Sequence, residues 1–105
     1  MLFVALLAAD LLGKNPAGLK GRVVDQVEHA PIRNAFILVH RDGSADQTVR
    51  TDASGMYSIQ LSPNLYDVFV SADGFAPLCR KVEITPDGLM IFDPVLNASS
   101  TGMEQ

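Results

Sequence analysis

The sequence predicts an all-β domain, a sandwich of seven short strands in two antiparallel sheets. Three observations lead there. Eight Gly and six Pro are spaced as punctuation between short apolar runs, the pattern of turns closing brief strands. Two stretches alternate with a period of two: in 56–61, Tyr57, Ile59 and Leu61 oppose Met56, Ser58 and Gln60, and in 66–72, Tyr66, Val68, Val70 and Ala72 oppose Asp67, Phe69 and Ser71. Aromatic and β-branched residues at that period mark half-buried antiparallel strand. No stretch after residue 18 carries a helical pattern, so two sheets face to face are the economical way to bury the apolar sides. At 105 residues there is material for one core and not two.

In chain order, Asn15-Pro16-Ala17-Gly18 breaks whatever precedes it, and a first strand runs over 19–25. Gly21 within it implies an edge position or the close approach of another backbone. Residues 26–33 form a loop closed by Pro31. The strand over 35–39 is apolar on both sides, Ala35, Ile37 and Val39 on one and Phe36 and Leu38 on the other. Such a run fits a central strand covered on both faces, or one with an interface on its outer face. Asp42-Gly43-Ser44 turns the chain into a short strand over 47–51. In the next turn, Asp52-Ala53-Ser54-Gly55, the Asp and Ser side chains bond their own backbone and Gly55 takes the positive φ that closes it. Ser62-Pro63-Asn64 joins the two alternating strands, with Asn64 expected in the left-handed conformation. Asp73-Gly74 ends the second of them, and a strand over 78–85, a turn at Pro86-Asp87-Gly88 and a last strand over 89–96 complete the set. Pro94 cannot donate to a ladder, so the last strand should lie at a sheet edge. From Asn97 the residues are small and polar, as in a frayed tail. The chain thus divides into an extension at 1–17, the domain at 18–97 and a tail at 98–105.

A net charge of −4 and a pI near 4.8 argue against nucleic acid, which needs a basic stripe; the densest basic spot, Arg80-Lys81, reads as a solvated strand face. One cysteine, Cys79, allows no intrachain disulfide and no thiolate zinc site, and reads as a small packed strand residue. The apolar run at 2–12 is too short for a membrane span, which takes about 20 residues. It has the character of a secretory signal, with small residues at Ala8-Ala9 and Ala17-Gly18 for cleavage. No Lys or Arg precedes it and Asp10 interrupts it, so the competing reading is an amino-terminal helical turn packed on the domain.

Catalysis finds little footing. His29 lies in a loop and His40 at a strand end, with no spacing that would pair them on a metal. Asp42, Asp46 and Asp52 lack the alternate oxygen ligands and closing Glu of a compact calcium loop, and read as turn caps. No nucleophile, base and orienter stand together in a recognisable pattern, so no catalytic, cofactor or metal residues are assigned.

Several fragments share an order. Gly21-Arg22-Val23-Val24-Asp25 opens the domain, and Ala30-Pro31-Ile32 with Asn34-Ala35 follows. Thr51-Asp52-Ala53-Ser54-Gly55-Met56-Tyr57, then Leu61-Ser62-Pro63-Asn64-Leu65-Tyr66, then Gly74-Phe75 complete the series. Together, from about Gly18 to Leu96, they resemble the carboxypeptidase regulatory-like domain: its Pro-hydrophobic…Gly-Ala loop with Asn34 for Gly, its Thr-Asp-x-x-Gly-x-Tyr turn, and its Leu-Pro-Pro-Gly-x-Tyr with Ser62 and Asn64 substituted. The resemblance implies a Greek-key, transthyretin-like β-sandwich with an accessory or structural role, often at the cell surface, and no hydrolysis of peptides. The related hydroxyisourate hydrolase carries a terminal Tyr-Arg-Gly-Ser, where this chain ends Thr-Gly-Met-Glu-Gln. Pilin and adhesin domains with a Lys-Asn isopeptide bond need a buried Glu at the position of Val70, and their first-strand lysine position is Val23 here.

The expected function is therefore non-enzymatic and extracytoplasmic: protein or cell-surface interaction, with no cofactor. The alternative is a carbohydrate- or small-ligand-binding domain, for which the absence of Trp and the inward-facing Tyr57 and Tyr66 leave few aromatic platforms. If Ile37, Val39, Val68 and Val70 point inward, alternation sends Phe36, Leu38 and Phe69 outward, and in transthyretin-like folds their strands are neighbours. An apolar patch of these three, rimmed by His40, Asp67 and Ser71, is the candidate interaction site for a second copy or a neighbouring domain. The competing reading has residues 1–17 folding back over it.

Overall fold

A computed structural model describes residues 17–99. Nine strand segments follow one another: β1 (Gly18–Arg22), β2 (Val24–Asp25), β3 (Phe36–His40), β4 (Gln47–Arg50), β5 (Met56–Gln60), β6 (Asn64–Ser71), β7 (Leu78–Ile84), β8 (Leu89–Ile91) and β9 (Val95–Leu96). They are the seven expected strands, the first interrupted at Val23 and the last at 92–94. One sheet has the order β4-β3-β6-β7 and the other β5-β1-β8, with β2 and β9 paired beside them. Among the described residues no helix is long and apolar enough to cross a membrane. The apolar run at 2–12 lies outside the described residues.

Hairpins fix the antiparallel ladders β3–β4 and β6–β7, and β3–β6 and β1–β5 pair antiparallel across longer connections, but the ends of the domain depart from that rule. Gly18 pairs with Leu89 and Val24 with Val95 in a single parallel register. No hairpin connects these segments, so nothing local dictates their relative direction. Between the paired stretches the seam is stitched by other means. Phe92 N–H donates to the Lys20 carbonyl (2.9 Å), Val24 N–H to the Pro94 carbonyl (3.1 Å), and Arg22 N–H to Asp93 Oδ1 (2.9 Å). Pro94 has no N–H to offer and, as expected, its segment lies at an edge. Gly21 sits where the seam is tightest: a Cβ there would stand 1.9 Å from the Phe92 carbonyl oxygen. Close approach is thus the reason for glycine. The alternative of an edge position does not hold, because β1 is central in its sheet.

The core lies between the sheets. Ile37, Val39, Tyr57, Leu61, Tyr66, Val68 and Val70 are buried with Leu19, Val23, Ile84 and Leu96, while Ile59 is half-buried against them. Both tyrosines bury the ring and satisfy the hydroxyl, Tyr57 donating to the Phe92 carbonyl (2.5 Å) and Tyr66 to the Ser62 carbonyl (2.6 Å). The Thr51 hydroxyl is buried too; it accepts from Ala35 N–H (2.8 Å) and donates to the Ile32 carbonyl (2.6 Å), tying the Pro31 loop to the start of the next turn. Asp52 Oδ1 accepts from Ser54 N–H (2.8 Å) and Met56 N–H (3.0 Å), and Gly55 has a φ of 76°, as the turn chemistry requires.

Two expectations fail locally. Asn64 is not left-handed; it begins β6, pairs with Ile84, and its side-chain Oδ1 accepts from Leu65 N–H (2.8 Å). The left-handed asparagine is Asn34 (φ 61°), at the position where the resembling family has Gly. The chain also remains tied past residue 97, where Ser99 N–H donates to the Gly74 carbonyl (2.8 Å) and Ala98 bridges Phe75; the rest of the expected tail lies outside the described residues.

Candidate functional site

Alternation in β3 and β6 gives each strand a buried and an outward row. Leu38 stands directly opposite Phe69, Phe36 opposite Ser71, and His40 opposite Asp67. The register continues outward, with Thr48 across from Leu38 and Cys79 across from Phe69. One line of side chains, Thr48, Leu38, Phe69 and Cys79, therefore crosses the middle of the outer face at right angles to the strands. Phe69 is 44% exposed, and Phe36 and Leu38 are half-buried. The three residues of the expected patch are thus neighbours on one face, with His40, Asp67 and Ser71 beside them.

The two ends of this face differ in charge. At one end the Arg50 guanidinium lies over the Phe36 ring, 4.9 Å from its centroid, and Nη1 donates to the Asn34 carbonyl (3.3 Å). Beside it an open groove of about 400 Å³ is lined by Arg33, Asn34, Phe36, Arg50, Ser71 and Asp73. Among the described residues neither Arg33 nor Arg50 has a carboxylate partner within ion-pair distance. At the other end His40 is held between Asp46, 2.7 Å from Nδ1, and Asp42, 3.4 Å from Nε2. The Asp46 hydrogen bond, outweighing partial desolvation and helped by Asp42, raises the imidazole pKa above its ordinary value. Lys81 pairs with Asp67 at 2.9 Å, which raises the ammonium in the same way.

Cys79 corrects another expectation. It is exposed rather than packed, because β7 is an edge strand and position 79 shares the outward row of Lys81. The sequence reading missed Arg33, Arg50 and Cys79 as parts of this face. A signal for Arg50 was present: a hairpin turning at Asp42-Gly43 sets Phe36 opposite Arg50.

Elsewhere the polar groups serve the fold. His29 is exposed in the loop after β2 with φ 58°, and Asp52 is taken up by its own turn. Burial, with the Asp93 charge nearby, pushes the Tyr57 hydroxyl pKa well up, so it remains a donor to Phe92. Among the described residues no three His, Cys, Asp or Glu side chains come together as a metal would need.

A sequence model of the carboxypeptidase regulatory-like domain matches residues 18–97. Comparison with curated proteins returned no match. Among solved structures, hydroxyquinol 1,2-dioxygenase from Pseudomonas putida is similar at a TM-score of 0.65 and 14% identity, covering 82% of this chain and 57% of its own. The pilus 2b backbone protein of group B streptococcus gives 0.62 and 15%, covering 87% and 44%. A candidate carbohydrate-binding protein from Bacteroides uniformis gives 0.60 and 21%, covering 75% and 40%. At these identities the likeness is one of fold, and the chain spans about half the length of each.

Proposed function

Because the chain belongs to the carboxypeptidase regulatory-like domain family, we propose that it is a non-enzymatic module that docks protein through the outer face of its four-stranded sheet. The observation that carries the reading is the Leu38–Phe69 pair, apolar on the face turned away from the core, with Phe36 diagonal to it. A sheet face needs no such residues for folding, since Ile37, Val39, Val68 and Val70 already supply the buried side. Charged and polar neighbours, Arg50, His40, Asp67 and Lys81, give it the rim that interaction surfaces carry. An extracytoplasmic setting accords with the family, with the pilus protein among its structural relatives, and with the apolar run at 2–12. The dioxygenase likeness transfers no chemistry at 14% identity. Carbohydrate binding is the weaker reading, because Tyr57 and Tyr66 are buried and Arg50 covers Phe36.

The test is binding of an apolar fluorescent dye to the full chain at dilute concentration, compared with Phe36→Ser/Phe69→Ser. Most of the signal should disappear in the double variant while the circular dichroism spectrum stays unchanged. Equal dye binding by both proteins would refute the docking face. Retention of particular glycans on an array, lost on Phe69→Ser, would favour the carbohydrate reading instead.

A further inference from the structure

Arg50 and Asp46 occupy the same edge of the outer face, Arg50 at the end of β4 and Asp46 just before its start. Arg33 stands with Arg50 at one end, and Asp42, whose side chain is fully exposed, with Asp46 at the other. A half-turn about the line Thr48, Leu38, Phe69, Cys79 turns the face over and reverses the strand ends, while each strand stays over its own image. It sets Leu38 over Leu38 and Phe69 over Phe69. The arginine end then meets the aspartate end, and by symmetry it does so twice.

We propose, resting on the docking reading above, that the occupant of this face is a second copy of the chain, packed across that two-fold axis so that Asp42 and Asp46, in the loop that also holds Arg41, approach Arg33 and Arg50 in the other copy's groove, which Asp73 lines as well. The apolar line supplies the central contact, and the charged ends select this orientation over the one that would bring like charges together. Asp46 keeps its His40 hydrogen bond, because a carboxylate oxygen accepts from more than one donor. Four strands about 4.8 Å apart and five residues of about 3.3 Å each give a flat contact of about 300 Å² per copy. Stable interfaces bury about 800 Å² per partner, so the dimer is weak and depends on concentration.

Sedimentation of the full chain over a concentration series tests the geometry with Arg50→Asp, Asp46→Arg, both together, and Phe69→Ser. Wild type should self-associate. Each single reversal should raise Kd by about tenfold or more, since symmetry applies it twice. The double reversal should recover to within about threefold of wild type, because opposite charges face each other again across the axis. Phe69→Ser should abolish association. Facing sheets lie about 10 Å apart and Cys79 falls on the axis, so a short bis-maleimide should link Cys79 to Cys79 in wild type and several-fold more slowly in Arg50→Asp. Association that survives Phe69→Ser, or a double reversal no better than the singles, overturns the proposal. A wild-type monomer at millimolar concentration also overturns it, and leaves the docking reading standing if dye binding still depends on Phe36 and Phe69.

Discussion

Replacing Gly21 by Ala should strike the domain at the seam between its first and last strands. The added Cβ would lie 1.9 Å from the Phe92 carbonyl oxygen and 2.7 Å from Asp93 Oδ1. Real Cβ contacts are not found below 3.0 Å, so the 92–93 backbone must retreat by more than an ångström or β1 must leave its place. Either movement disturbs three bonds that meet there: Phe92 N–H to Lys20, Arg22 N–H to Asp93, and the Tyr57 hydroxyl to Phe92. At about 1 kcal/mol net for each, with a buried hydroxyl left without its acceptor, the loss comes to about 2–4 kcal/mol. The assay is urea denaturation followed by tyrosine fluorescence. With m of about 1–3 kcal/mol/M, the midpoint should fall by roughly 0.7–4 M. Gly43→Ala is the control, because nothing lies within 4 Å of its Cβ and only its φ of +84° resists the side chain. That change should cost about 1 kcal/mol. A Gly21→Ala midpoint no lower than that of Gly43→Ala would refute the close approach as the reason for glycine.

Val68→Ala and Ile37→Ala each remove methyl groups from fully buried positions and should cost about 1–4 kcal/mol, with unchanged midpoints showing the faces reversed. Asn34→Gly should be neutral or mildly stabilising, while Asn34→Val should lose about 1–2 kcal/mol to the left-handed backbone; equal midpoints would remove that strain. The folded state raises His40 above its ordinary value of 6.5, so stability from its aspartate partners is fully present below that pH and is lost as pH rises through the raised value. Proton resonance titration of His40 should move downward in Asp46→Asn, and an unmoved titration would separate the pair.

The strands were legible because each element carries its own period: Tyr66, Val68 and Val70 against Asp67, Phe69 and Ser71 need no partner to be read. The outward Phe36, Leu38 and Phe69 followed from the same alternation. What escaped depended on contacts distant in sequence. Nothing adjacent to Asn34 or Asn64 tells which of them is left-handed; Asn34 N–H donates to the Thr51 carbonyl, and that partner lies a full hairpin away. Cys79 falls by alternation in the outward row with Lys81 and Glu83, and only the usual preference of a lone cysteine for burial pointed inward. The parallel direction of β1 against β8 is likewise decided by the closing of the sandwich. The charge asymmetry of the outer face lay between these cases, since hairpin counting reaches Arg50 but not Arg33.

That parallel seam has a mechanical meaning. A domain held by its two ends is pulled at the start of β1 and at the end of β9, along strands running the same way. Such a load shears the ladder lengthwise, so the bonds from Gly18 to Gln26 resist together. Pulled instead between Gly18 and Gln60, which face each other across β1 and β5, the ladder would open bond by bond, like a zipper. Single-molecule extension through these two pairs of attachment points should give a clearly higher rupture force for the first. Similar forces in both directions would mean that the seam bears no special load.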